Sequence, residues 1–202
     1  MDNALNPDVN TKHGAILSIA EIIRELSICK VTLPEDIQIR ILKIIQTIEM
    51  NRLFRGRGGS MVREAVCHLI ENISFARFPL PSSLPSDETD KKPFPRKTKS
   101  IKVLIQEMIN DHLKHPNEEI QYAAARCIRQ FSLKYHATRS PQQCKSLGNI
   151  INYYIKHIKT ELVATTRRGY TLALGALSPI VLQLDLENII DTLIEASCIP
   201  VS

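Results

Sequence analysis

Tryptophan is absent and aromatic residues make up only 5% of the 202 residues. A core made from this chain must therefore be filled by aliphatic side chains. No apolar run reaches the roughly 18 residues that a membrane-spanning helix needs, so no membrane span is expected. Residues 1–10 are polar and contain no apolar stretch of the secretory type, so no signal peptide is expected. No CxxC pair occurs among the five cysteines, Cys29, Cys67, Cys127, Cys144 and Cys198. An odd count, with Cys67 and Cys127 inside helical patterns, fits reduced thiols in the cytoplasm rather than a disulfide framework. No GxxxxGK[ST] string is present, which excludes nucleotide binding through a P-loop. One-sided charge is missing too. The net charge of +5 comes from 26 basic and 21 acidic residues, compatible with an acidic protein partner but too mild to demand nucleic acid.

What is present is an ordinary globular balance, 44% hydrophobic and 23% charged, which excludes wholesale disorder. The hydrophobic pattern is mostly helical. Eight segments are expected, over about 12–29, 35–50, 60–77, 100–114, 117–136, from 140 onward, 163–177 and 185–198. The second is ambiguous at its start, because Ile37, Ile39 and Ile41 alternate with the period of a strand. Its stripe then continues through Ile44, Ile45 and Ile48 at helical spacing, which favours a helix. In the third, Val62, Ala65, Val66, Leu69, Ile70 and Ile73 share one side, with Arg63, Glu64, Glu71 and Asn72 largely on the other. Asn117 is placed to cap the fifth helix, and Ser140 with Gln143 forms a capping-box pattern for the sixth. The last carries Leu186, Ile189, Ile190, Leu193 and Ile194. Between Phe78 and Lys99 neither period survives. Five prolines, several serines and a run from acidic to basic residues predict a flexible loop there.

Four segments resemble one another. They begin at Thr11, Val62, Ile120 and Thr166. Their second position is long and polar (Lys12, Arg63, Gln121, Arg167), their fourth is small (Gly14, Ala65, Ala123, Gly169), and their ninth is aliphatic. A small residue lets a helix approach its neighbour's backbone, and a long polar one can reach the connecting loops. The spacing is close to that of HEAT units, and the pattern resembles the first helix of such a repeat. Each alternate helix is then expected to be the second of its pair. The fold class expected is all-α: an α-solenoid of about four HEAT-like helical hairpins filling residues 1–202 as a single segment, with 78–99 as a loop within it.

Chemistry is sparse. His112 and His115 lie one turn apart but lack further ligands at metal spacing. Cys67 and His68 are adjacent, so on a helix they point about 100° apart and make a poor nucleophile–base pair. Arg55-Gly56-Arg57-Gly58-Gly59-Ser60 precedes a helix. Its backbone N–H groups could receive a carboxylate or phosphate, and a sharp turn with solvated arginines explains it as readily. The basic run from Lys91 to Lys99 reads as a polyanion patch or as a solvated loop. Arg167 and Arg168 are open to a partner or to packing against an inter-helix loop. No convergent acid–base set is visible, so no enzyme is expected.

Four strings carry a family resemblance. They are Lys12-His13-Gly14-Ala15-Ile16-Leu17, Arg52 through Gly59, Ala65 through Glu71, and Arg168-Gly169-Tyr170-Thr171-Leu172-Ala173-Leu174-Gly175-Ala176-Leu177. In this order they resemble the tubulin-folding cofactor D family, and the likeness covers most of the chain, with the Pro-rich stretch departing from it. The resemblance implies a segment from the C-terminal half of a much longer helical-repeat chaperone cofactor. Such a cofactor binds β-tubulin and assembles and dissociates the α/β-tubulin heterodimer. It works with other tubulin-folding cofactors and an Arf-like small GTPase, and stimulates GTP hydrolysis by tubulin in that complex. It implies a cytoplasmic location associated with microtubules, and no bound cofactor. No catalytic residue of the family maps onto this chain. The arginines best placed for docking are Arg55, Arg57 and Arg63, with Arg167 and Arg168 as further candidates. The alternative is a HEAT-type scaffold, such as an adaptor or transport receptor, with a non-tubulin partner.

Overall fold

A computed structural model describes residues 2–84, 100–136 and 141–198, with the backbone alone for Asp2 and for 141–149. A 3-10 turn, Asp2–Leu5, precedes α1 (Val9–Ile28), α2 (Glu35–Met50), α3 (Gly59–Phe75), α4 (Ile101–Leu113) and α5 (Glu118–Tyr135). Then come α6 (Pro141–Thr160), α7 (Ala164–Ala176), the four-residue α8 (Pro179–Leu182) and α9 (Leu186–Ser197), with no strand among the described residues. All eight expected helices are present. Most of the Phe78–Lys99 loop, including the basic run, lies outside the described residues, as do Ser140 and the side chain of Gln143.

Local chemistry sets the boundaries. α1 starts earlier than the apolar stripe because Asp8 caps it, accepting the Thr11 N–H at 2.7 Å. Asn117 caps α5 by accepting the Glu119 N–H at 2.8 Å. The ambiguous isoleucines are helical. Ile41, Ile44, Ile45 and Ile48 are all buried on one face of α2, and burial of a long stripe outweighs the strand preference of a short one. α1, α2 and α3 end in the same way. Lys30, Arg52 and Arg77 take left-handed φ angles of 57°, 51° and 61°. The next N–H then reaches back into the last turn: Val31 to Leu26 O at 2.8 Å, Leu53 to Ile48 O at 3.0 Å, Phe78 to Ile73 O at 3.0 Å. This closure usually uses glycine, and here a cation sits at each negative helix end instead. The helix α8 was not expected. Ser178-Pro179 follows the end of α7, and proline, which suits a first helical turn, begins a new one.

The helices form two layers. α1, α3, α5 and α7 pack one against the next. They run parallel: Val9 at the start of α1 meets Gly58 at the start of α3, and Ser132 Oγ near the end of α5 accepts the Ser178 N–H just past α7 at 3.3 Å. The second layer holds α2, α4, α6 and α9, where α2 packs on α4 and α6 on α9. Tyr154 on α6 donates its hydroxyl to Asn110 on α4 at 3.1 Å, joining the middle of this layer. One apolar cluster runs from Ala4 to Ile189 through both layers. This is an α-solenoid.

The hairpin register differs from the sequence expectation. α4 folds directly back on α5, and α6 on α7, across connections of only 114–117 and 161–163. Connections that short force antiparallel neighbours. At these two places the repeated segment, begun at Ile120 and at Thr166, is the second helix of a tight hairpin, where the first was expected.

The small fourth position also divides. At Gly169 a Cβ would lie 1.8 Å from Leu113 O, so only glycine permits this approach. Ala65 and Ala123 are buried. Around Gly14 there is open space, and close approach does not explain it. Asn72, expected to face outward, is buried and meets His68 Nε2 at 3.3 Å.

Candidate functional site

Parallel stacking brings the starts of α1, α3, α5 and α7 to one edge of the solenoid. The candidate residues gather along this edge and on the α2–α3 turn beside it. The turn leaves α2 through Arg52, buries Phe54, and passes Gly56 and Gly58 at φ 89° and 76°. Gly59 begins α3 so close to Phe54 that a Cβ would sit 2.1 Å from its carbonyl oxygen. The glycines thus serve a sharp turn. Its N–H groups are partly used within it: Gly59 N–H donates to Gly56 O and Met61 N–H to Gly58 O, both at 3.1 Å. Arg55 and Arg57 project from this turn and are exposed.

Arg63 is held differently. Its guanidinium lies 4.4 Å from the centre of the Phe54 ring, and Nη1 donates to Asp111 Oδ2 at 2.9 Å. Only 13% of its side chain is exposed. It clamps α3, the turn and the end of α4 together.

Gln121 makes the densest junction. Its side-chain Nε2 lies 2.9, 2.8 and 2.7 Å from the carbonyl oxygens of Leu113, His115 and Thr165, two hydrogens shared among three acceptors. Its Oε1 accepts Arg168 Nε–H at 2.8 Å. Arg168 also donates to Pro116 O at 3.2 Å and pairs with Glu118. Arg167 Nη1 donates to Glu161 O at 3.3 Å. The expectation that the long polar position reaches connecting loops is met at Gln121 and Arg167. Of the five candidate arginines, Arg63, Arg167 and Arg168 make contacts within the chain, while Arg55 and Arg57 face solvent.

Arg55 also borders a groove of about 280 Å³ on the second layer, with Glu49, Glu107, Asp111, Lys114 and Tyr153 among its walls. Burial, and next the Asp111 charge, push the Glu49 carboxyl above its ordinary range. The groove mixes both signs of charge, suited to a polar protein surface rather than to a single small ion.

The histidines diverge. His112 turns into the core, where Nδ1 lies 3.1 Å from Cys67 Sγ. His115 Nδ1 accepts the Asn117 N–H at 3.1 Å. Burial pushes the Cys67 thiol up to about 12 and holds His112 down at about 3. Both are neutral at pH 7 and closed to solvent, a core hydrogen bond and not an activated nucleophile. These partners are 45 residues apart, and no sequence spacing announces them. No group of His, Cys, Asp or Glu able to hold a metal occurs among the described residues. No helix among them is long and apolar enough to cross a membrane.

The architecture places the chain among α-solenoids. Within that class it is distantly similar to tubulin-specific chaperone D of Dictyostelium discoideum, 24% identical over an alignment 222 positions long, gaps included. The match covers 84% of this chain and 15% of the relative's length. No family model matches the chain. No solved structure matches it.

Proposed function

We propose that residues 1–202 form one HEAT-type segment of a tubulin-folding chaperone cofactor. In this reading the protein binds β-tubulin and takes part in assembling and dissociating the α/β-tubulin heterodimer in the cytoplasm, at the microtubule cytoskeleton. It does so with other tubulin-folding cofactors and an Arf-like small GTPase, and it promotes GTP hydrolysis in that complex without supplying a catalytic residue from this segment. The observation that carries the reading is the similarity to tubulin-specific chaperone D over most of the chain. Stacked helices support it, because a solenoid offers an extended surface to a protein partner.

Arg55 and Arg57 are the docking contacts of the proposal. They are exposed on a turn fixed by glycines, so their positions are ordered while their charges stay solvated. Arg63 sets the turn's geometry, Arg168 holds the α5–α7 edge in line, and Arg167 ties α7 to the connection before it. The test is capture of tubulin by the full-length protein, with and without Arg55→Glu and Arg57→Glu. Capture by the wild type, weakened about tenfold or more by the double reversal, supports the assignment. Capture that the reversal leaves unchanged removes these two residues. No capture by folded wild type contradicts the tubulin reading.

A further inference from the structure

The ends of α1, α3 and α5 line the edge of the stack opposite the arginine turn, and two connected hollows open there. The larger, of about 680 Å³, lies between α3 and α5. Phe75 and Leu133 stand in its walls, each 45% exposed, with Arg77 and Lys134 beside them. The smaller, of about 200 Å³, reaches from the ends of α1 and α3 to Gln38 on α2 and has Lys30 in its wall. Ser27 and Arg77 line both, so the two form one groove across three helix ends. Repeats added to a solenoid extend it along its axis, whereas this groove crosses its side, between helices already stacked on each other.

The charge of the groove has one sign. Arg77 and Lys134 are the charged residues lining the larger hollow, and Lys30 and Arg77 those lining the smaller. Among the described residues none of the three pairs with a carboxylate. Beyond Glu119, α5 carries Arg126, Arg129 and Lys134 and no acid. Carboxylates on the same elements face elsewhere. Glu25 lies about 200° round α1 from Ser27. Glu71 meets His68 Nδ1 at 3.8 Å, and Glu35 lines a separate hollow with Pro81 and Ser83. Lys30 and Arg77 hold left-handed φ angles of 57° and 61°, strained positions that glycine would relieve, at the two helix ends that frame the groove. Gln38 adds an acceptor. It is only 8% exposed, its Nε2 donates to Leu33 O at 2.7 Å, and its Oε1 has no partner among the described residues. A buried acceptor left unpaired is costly, and an incoming N–H would satisfy it.

We propose that this groove binds an extended acidic segment of another protein, with an aromatic or large aliphatic side chain seated between Phe75 and Leu133. Its carboxylates pair with Lys30, Arg77 and Lys134, and one of its backbone N–H groups donates to Gln38 Oε1. Three stacked helices place their outer axes about 20 Å apart, a span that about six extended residues cover. The inference does not depend on the tubulin reading.

The probe is a short fluorescein-labelled peptide that alternates glutamate with phenylalanine and leucine, titrated into the full chain by fluorescence anisotropy. One control peptide carries lysine in place of glutamate, and another carries serine in place of the apolar residues. The first peptide binds saturably, about tenfold or more tighter than either control. Lys30→Gly with Arg77→Gly weakens it by a similar factor without lowering Tm, because glycine suits both left-handed positions. Lys134→Glu, at an ordinary helical position, weakens it independently, and so does Leu133→Ser. Equal binding of the glutamate peptide and either control, binding indifferent to both charge variants, or no saturable binding overturns the proposal. So does tighter binding of an oligothymidylate, which would make the surface one for nucleic acid. So does a gain of about tenfold when Asp87→Asn, Glu88→Gln and Asp90→Asn are combined, because this chain's own acidic stretch would then be the occupant.

Discussion

Cys67 Sγ and His112 Nδ1 meet 3.1 Å apart, both sealed from solvent, and so tie the middle of α3 to the end of α4. Cys127 is equally buried on α5, and burial raises its thiol well above the ordinary range. Cys29 and Cys198 are exposed. Under native conditions Cys29 and Cys198 react with a maleimide while Cys67 and Cys127 are protected until the chain is unfolded. Mass-mapping of the labelled peptides checks this. Native labelling of Cys67 at the rate of Cys29 would contradict the packing.

The buried histidines make stability fall in mild acid. His112 is held at about 3 and His136 at about 4, both by burial first, against an ordinary 6.5. Below that value the unfolded chain takes up protons that these sites refuse. Their contribution is complete above pH 6.5 and is lost progressively as pH falls toward their folded values. Each steepens the loss by up to about 1.4 kcal/mol per pH unit. Both ring nitrogens of His136 lack a partner among the described residues, so His136→Leu flattens the slope between pH 6.5 and 5. Urea unfolding at several pH values measures it, and an unchanged slope counts against the burial.

Gln121 is expected to be the most sensitive polar position. Gln121→Leu leaves the carbonyls of Leu113, His115 and Thr165 without this donor and frees Arg168 from one anchor. A loss of about 3 kcal/mol follows, larger than that for Arg168→Ala, whose side chain is 35% exposed. Denaturant unfolding of both variants ranks them. Equal, small losses would mean the junction is not a structural clasp.

Two glycines at matching repeat positions separate cleanly. Gly169→Ala destabilises by about 2 kcal/mol or more, because a Cβ there would overlap the Leu113 carbonyl. Gly14→Ala stabilises by roughly 0.5–1 kcal/mol, since the site is open and alanine favours the helix. Comparable Tm shifts of one sign in both variants would contradict the stacking at α7.

At the helix ends, Arg77→Gly relieves the left-handed φ of 61° and raises stability by about 1 kcal/mol, less the lost charge–dipole attraction. A lowered Tm would show that the cation matters more than the backbone.

The sequence reading succeeds where physics is local. The 3.6-residue period marks the eight long helices, and the buried side of α3 matches all six residues expected. The long polar position of the repeat foreshadows Gln121. Three things were not legible. The hairpin register depends on the short 114–117 and 161–163 connections, and internal similarity says nothing about which neighbour a repeated helix folds against. The Cys67–His112 contact joins residues distant in sequence. The half-exposed stripe of α9 has the period of a core helix, and the pattern alone does not count how many neighbours are present to cover it. Among the arginines, sequence showed charge but not that Asp111 and Phe54 already engage Arg63, and Glu118 and Gln121 Arg168.

Affinity purification of the endogenous full-length protein, followed by mass spectrometry of its partners, tests the central claim most directly. The account predicts β-tubulin in the complex together with an Arf-like small GTPase. Recovery of the intact protein without tubulin, in company with the cargo of a transport receptor or another non-tubulin partner, would contradict it.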